Sequence, residues 1–404
     1  MLLCIALVSG CGGGGGGSLA PTAPPPPPPP PPTLSTGPES CTAGTAGEFS
    51  CSGISLRKRM TLATMGGTNG NDIWGWFDQQ TGREYALMGM DNGTAFVDVS
   101  SPEDPQFLGL LPTETGTAAW RDIKVYQDYA YIVADNVGAH GMQVFDLTRL
   151  RTITTPQTFS ADVVYGDFGS AHNIAINESS GFAYAVGTND CADGLHFIDI
   201  TTPANPLFAG CHSVVATHDT QCVIYQGPDT DYSNREICMS ANMNHVEIVD
   251  VTGKSAPMTI SSMTYPDLGF VHQGWLTEDH RFLLVSDESD EVSFGVPTRT
   301  HVFDVSDLDN PFYVFAYEAA TAATDHNLYI LGNRVFEANY TSGLRVLEFT
   351  DLGNEELAEI AFFDTFPASD SSDYAGAWSV YPYLPSATII VSDRSNGLFI
   401  LSMP

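Results

Sequence analysis

The chain reads as an all-β protein, a seven-bladed β-propeller of four-stranded antiparallel blades, and three patterns predict this. A short polar pair introduces a β-like run seven times: NDIWGW from Asn71, RDIKVY from Arg121, HNIAIN from His172, HDTQCV from His218, HQGWLT from His272, HNLYIL from His326 and WSVYPY from Trp378. A spacing of roughly 50 residues marks repeated supersecondary units rather than separate domains. A second run recurs seven times in step with the first: GTAFVDV, GMQVFDL, GLHFIDI, HVEIVDV, THVFDV, GLRVLEF and GLFIL. The third pattern lies at the two ends. After the last of these runs only Ser402, Met403 and Pro404 remain, while Leu56 to Met65 precedes the first unit without a partner of its own. That run is expected to supply the missing outer strand of the seventh blade, closing the ring and removing an exposed sheet edge.

From the N-terminus, residues 1–11 read as a lipoprotein signal. Met1 to Val8 is too short to span a bilayer, and it leads into Val8-Ser9-Gly10-Cys11, a lipobox in which Cys11 would receive the lipid. Residues 12–38 follow as a linker, with six glycines and then the prolines Pro24 to Pro32, a composition that cannot build a core. The proline run alone would extend about 28 Å at about 3.1 Å per residue. Residues 39–404 are assigned to the propeller. The unit starting at His172 shows its four strands most clearly, as HNIAIN, GFAYAVG, GLHFIDI and NPLFAGC, each short, rich in β-branched and aromatic residues and bounded by Gly, Asn, Asp or Pro. The acids near the end of six of the seven third strands, Asp98, Asp146, Asp199, Asp250, Asp304 and Glu348, stand just before turns, where they are expected to bond backbone rather than do chemistry.

The units NDIWGW with GREYALMGMDNGTAFVDVS, WRDIKVYQDYAYIV, HGMQVFDLTRLR, AHNIAINESSGFAYAVG, HQGWLTEDHRFLLVSDE, DHNLYILGNRVFEANYTSGLRVLE and GAWSVYPY resemble the bacterial choice-of-anchor B proteins, whose units are related to the LVIVD repeat. The resemblance spans residues 39–404 and implies an exported propeller-like domain with an anchor that differs between members. It implies no particular activity.

Acidic residues outnumber basic ones 48 to 15, for a formal charge of -33, which excludes nucleic acid as a partner. With Cys4 in the signal and Cys11 lipidated, six cysteines remain: Cys41, Cys51, Cys191, Cys211, Cys222 and Cys238. An even number in an exported chain suggests disulfides. Sequence proximity favours Cys41–Cys51, Cys191–Cys211 and Cys222–Cys238, although six cysteines allow 15 pairings. The expected setting is a secreted bacterial lipoprotein at the cell surface or outer membrane, held to the lipid bilayer through its N-terminus.

In a propeller the start of each innermost strand opens on the central channel. The first column there is Asn71, Arg121, His172, His218, His272, His326 and Trp378, and the second is Asp72, Asp122, Asn173, Asp219, Gln273, Asn327 and Ser379. Four imidazoles from consecutive blades could surround a transition metal, with Asp122 or Asp219 as an extra ligand or general base. The competing reading is that a polar residue repeated in every blade bonds the backbone of the next. A polar binding pocket using Asp72, Arg121, Asp122, Asp219 and Trp378 is the third. Two acidic loops, Asp287 to Glu291 and Asp229 to Asp231 with Asn234, could hold calcium, but solvated loops are the expectation adopted. Trp74, Trp76, Trp120, Trp275 and Trp378 are assigned to packing, with sugar or ligand stacking as the lesser alternative, and Arg57-Lys58-Arg59 to the exposed face of the closing strand. GxSxG, P-loop and HExxH motifs are absent. The reading is therefore a surface binding or interaction module for a protein, small-molecule or glycan ligand, with a four-histidine metalloenzyme and a purely structural protein as alternatives.

Overall fold

Runs of β-branched and aromatic residues separated by Gly, Asn and Pro can bury themselves only by pairing and stacking as short antiparallel strands. In the computed structural model, which describes residues 34–403, they form seven sheets. The innermost strands are Gly70–Asp78, Arg121–Tyr126, Asn173–Asn177, Asp219–Ile224, Val271–Leu276, Asn327–Leu331 and Ala377–Tyr381, and they define blades one to seven. Five blades have four strands. Gln157–Thr158 adds a parallel strand to the edge of blade one, and the hairpin of Thr45–Ala46 and Phe49–Ser52 extends blade six.

Blade seven is completed by the N-terminal strand Ser55–Met60, which pairs antiparallel with Gly397–Ser402, placing Leu56 opposite Leu401 and Met60 opposite Leu398. The strand is shorter than the expected run to Met65. Thr61 accepts a hydrogen bond from the Thr64 amide and caps a short helix, Leu62–Met65, that ends at left-handed Gly66. The basic cluster also differs from expectation: Arg59 is buried, donating to the backbone oxygens of Ser35 and Asn396.

The glycine that heads most third strands has a steric origin. At Gly397 φ is +95°, and a Cβ would lie 2.1 Å from the Met60 carbonyl oxygen of the closing strand. The acids at the ends of these strands cap the following turn as expected. Asp98 accepts from the Ser100 amide at 3.0 Å, Asp146 from Thr148, Asp199 from Thr201 and Asp250 from Thr252, each at 2.9 Å. Glu348 pairs instead with Arg334.

The core lies between blades. Tyr131, Val133 and Val144 of blade two pack on Ile174, Ala183 and Ile198 of blade three, all fully buried. Each large apolar side chain so buried contributes about 1.5–3 kcal/mol. Three disulfides join Cys41–Cys51, Cys191–Cys211 and Cys222–Cys238, the last across two paired strands of blade four. Among the described residues, no helix is long and apolar enough to cross a membrane. Cys11, the glycine run and Pro24 to Pro32 lie outside the described residues.

Candidate functional site

In five of the seven polar pairs the second residue ties its blade to the next. Asp72 accepts from the Ile123 amide at 3.0 Å and Asp122 from Ile174 at 2.7 Å. Gln273 accepts from the Leu328 amide at 2.6 Å, while Asn173 and Asn327 donate to the backbone oxygens of His218 and Trp378. A buried inner strand must satisfy its backbone, and these side chains do so across the blade gap. Blades four and seven depart from the pattern, and in blade seven the Ser379 hydroxyl is buried without a partner. Asp219 accepts only its neighbour's amide, Thr220 N at 2.6 Å, and the bracing bond comes two residues later, from Leu276 N to Gln221 at 2.8 Å.

The first column also divides. Asn71 donates to the Ala119 oxygen, and buried Arg121 reaches back to the Met90 oxygen of blade one and to His140. The four histidines stand side by side, with ring centroids 4.4 Å apart for His172–His218 and His218–His272 and 4.1 Å for His272–His326. Trp378 closes the row 4.7 Å from His326, with the Arg394 guanidinium over its ring. In blades one, five and seven the register slips at the polar pair, and the extra residue of each bulge lets both columns reach the channel.

His218 Nδ1 lies 3.0 Å from the His272 carbonyl oxygen and His326 Nδ1 2.5 Å from that of Trp378, so in both rings Nδ1–H donates and Nε2 is left with its lone pair. His172 turns instead to Asp135 at 3.0 Å. His272 Nδ1 is buried without a hydrogen-bond partner. Burial, with help from neighbouring imidazoles, holds His218 and His272 well below the usual histidine range and His326 at about 3, so these rings are neutral at physiological pH. The ligating atoms of His272, His326 and Glu288 come within 4.8 Å of one another; His172 and His218 join no such group among the described residues. Glu288 accepts from the Tyr340 hydroxyl at 2.6 Å, and burial pushes its carboxyl up to about 7. Two of the four candidate histidine ligands are thus brought together with a carboxylate absent from the sequence-based set.

Below this ring the channel is plugged by charge. Lys124 Nζ lies 2.6 Å from Asp122 and 3.6 Å from Asp72. Burial drives Asp72 well above the usual carboxylate range, while for Asp122 the Lys124 charge and hydrogen bonds outweigh burial and hold it low. Asp219 faces the same plug, and burial with the nearby Asp122 charge pushes it up to about 7. The space left on the histidine side is about 10 Å³, room for about one water.

On the far side of the plug the channel widens into a cavity of about 440 Å³, in the range of small-molecule sites. Trp74, Trp275, Tyr381 and Tyr383 supply flat walls, Lys124 and Asp219 form part of its floor, and Glu178 and Glu278 stand at its rim. Trp74 packs edge-on against Tyr381 at 5.0 Å, an arrangement that needs Gly75, whose Cβ would strike the Tyr381 ring at 2.1 Å. The assignment of the tryptophans to packing holds for Trp76, stacked on Tyr85, and for buried Trp378; Trp74 and Trp275 pack against the core while also lining the cavity, and Trp120 is 39% exposed. A period-two signal was present in the sequence: Trp74, Lys124, Gln221, Trp275, Tyr329 and Tyr381 each follow the second polar column by two residues, hence share its face.

The acidic loop Asp287 to Glu291 also corrects expectation. It is not solvated: Asp287, Asp290 and Glu291 are buried. The Asp229 cluster, with Asp307 and Asp309, is largely exposed.

Comparison with known proteins bears on fold more than on chemistry. Residues 117–138, which contain the first two strands of blade two, match the LVIVD repeat. Among curated proteins none is similar in sequence. Similar solved structures include hydrazine synthase of Kuenenia stuttgartiensis, at TM-score 0.56 and 10% identity over 78% of this chain and 91% of that one. The Cps50 (Swd1) β-propeller domain of Myceliophteria thermophila has TM-score 0.56 at 11% identity over 87% and 100%. A protein from Lactobacillus plantarum has TM-score 0.52 at 14% identity over 80% and 88%. At these identities the likeness is one of fold. The chain is a seven-bladed β-propeller that carries an LVIVD repeat.

Proposed function

We propose that the protein is an exported binding module, tethered to a bacterial membrane through Cys11, that captures a glycan unit in the aromatic mouth of its channel. The observation that carries this reading is the cavity of about 440 Å³ between Trp74, Trp275, Tyr381 and Tyr383. A sugar ring offers an apolar C–H face for such walls and hydroxyl donors for carboxylates. Asp219, Glu178 and Glu278 are placed to accept them. Asp219 supports the reading independently, because it is a raised carboxyl that leaves blade bracing to Gln221. Three disulfides and the LVIVD repeat fit an oxidising, extracellular setting. Screening the full chain against soluble oligosaccharides by tryptophan fluorescence should yield saturable binding that Trp275→Ala abolishes. Binding unaffected by that change, or none across the panel, would remove the reading. Lipid on Cys11 is checked by mass spectrometry of the mature N-terminus.

A second reading rests on His272, Glu288 and His326, whose two imidazoles and one carboxylate could hold a transition metal for catalysis at the opposite end. Elemental analysis of protein purified without an affinity tag tests it. A stoichiometric metal lost in His326→Ala supports it, and none bound removes it.

A further inference from the structure

Between the second and third strands of blade five, the sequence Asp287-Glu288-Ser289-Asp290-Glu291 folds inward against Asp325, which precedes the inner strand of blade six. Asp290 is 0% exposed, Glu291 3% and Asp325 3%. Asp287 is fully employed in shaping this loop. Its oxygens accept from Phe270 N at 2.6 Å, Gly269 N at 2.7 Å, the Tyr265 hydroxyl at 2.8 Å and Ser289 N at 3.1 Å. Its own amide donates to Asp325 Oδ2 at 2.9 Å. The remaining oxygens are different: both of Asp290, both of Glu291 and Oδ1 of Asp325 are buried without a hydrogen-bond partner. So are both ring nitrogens of His301, which form a second close group with Asp290 and Asp287.

Buried carboxylate oxygens without donors are costly, and a cluster of three compounds the cost by mutual repulsion. His301 Nε2 lies 3.7 Å from Asp290, beyond hydrogen-bond reach, and the nearest permanent cation does not resolve that repulsion. Arg299 Nη1 is 4.0 Å from Asp290 and 3.5 Å from Asp267, while Nη2 is 3.0 Å from Glu318, so one guanidinium is shared among three acids. The ligating atoms of Asp290, Glu291 and Asp325 all lie within 4.8 Å of one another, a separation that oxygens around one ion at 2.3–2.6 Å can adopt.

We propose that Asp290, Glu291 and Asp325 hold a calcium ion at the junction of blades five and six. The all-oxygen, three-carboxylate set favours a hard cation over a soft one, and these ligands can bind through one or both oxygens. The ion would bind blade five to blade six. It would also fix both arms that reach the channel, because Glu288 lies within the loop and His326 follows Asp325.

The test is calorimetric titration of the chelator-treated full chain with calcium chloride. One ion should bind per chain and raise Tm by about 3 °C at 100 times Kd. Glu291→Gln with Asp325→Asn should weaken binding by about 100-fold. In chelator the same variant should melt no lower than the parent, since it removes repulsion from the cluster. Asp307→Asn with Asp309→Asn, in the exposed cluster, should bind as the parent does. Terbium luminescence on the unaltered chain, quenched by added calcium, gives a readout independent of any variant. The proposal is overturned by an absence of calcium binding, by binding that survives in the Glu291/Asp325 variant or is lost in the Asp307/Asp309 variant, or by stoichiometric zinc or manganese in place of calcium.

Discussion

Replacing Lys124 by methionine tests how the channel plug is balanced. The Lys124 side chain is 12% exposed, and its ammonium group lies 2.6 Å from Asp122 and 3.6 Å from Asp72, whose side chains are 7% and 2% exposed. Methionine fills most of the volume but leaves two buried carboxyls without a cation, and breaking a buried pair in this way costs about 3–5 kcal/mol. Unfolding entropy of about 2.1 cal/mol/K per residue over roughly 370 residues makes about 0.8 kcal/mol/K, so a 4 kcal/mol loss lowers Tm by about 5 °C. The sign of the pH dependence follows from the carboxyls. Asp72 already lies above its unfolded value, and without Lys124 Asp122 rises to join it, so the native state takes up protons, and stability present at low pH is lost as pH rises. Thermal melts should therefore show a larger deficit at pH 8 than at pH 5. Adding Asp72→Asn and Asp122→Asn, which keep an acceptor for the Ile123 and Ile174 amides, should restore at least half of it. A deficit below about 1 kcal/mol, or one equal at both pH values, would refute the reasoning, since a buried pair should cost several times that.

Asp219→Asn should stabilise the protein at alkaline pH. Its carboxyl, raised to about 7, costs stability that appears as pH climbs from the unfolded value through 7, so the gain should be about 1–3 kcal/mol at pH 8 and absent near pH 4. Gly397→Ala should lower Tm by several degrees, because its φ of +95° and the Met60 oxygen 2.1 Å from the new Cβ loosen the blade-seven closure; a melt matching the parent would contradict that closure. Replacing Cys222 and Cys238 together by alanine should cost about 3 kcal/mol in urea denaturation, the value for a loop of about 15 residues. Gly75→Ala should leave the propeller folded by circular dichroism while displacing Tyr381 and weakening ligand binding at the aromatic mouth.

Repetition made the fold legible. Seven polar pairs and seven third strands count the blades, and the short last unit identifies the closing strand, because each signal is set by local backbone needs that recur. What escaped notice has no repeat to mark it. Gln157–Thr158 is a two-residue edge addition, and the hairpin of two- and four-residue strands around Thr45 and Phe49 is held by the Cys41–Cys51 disulfide and by Phe49 packed on Phe363 and Phe399. The histidine column stands out by residue type, yet much of it is occupied by carbonyl bonds and ring contacts, while Glu288 enters from a loop far in sequence from His326. The aromatic mouth was hidden because Trp74 and Trp275 read as core until their shared face is recognised. The acidic loop misled for the opposite reason: charge suggests solvent, and nothing local reveals that blade six packs over it.

The central claim is that ligand recognition lies at the aromatic mouth, with the histidine ring at the other end of the plug. Parallel titrations of Trp275→Ala and His326→Ala with the best oligosaccharide test it most directly. The account predicts that affinity is lost in Trp275→Ala and retained in His326→Ala; retention in the first with loss in the second would contradict it.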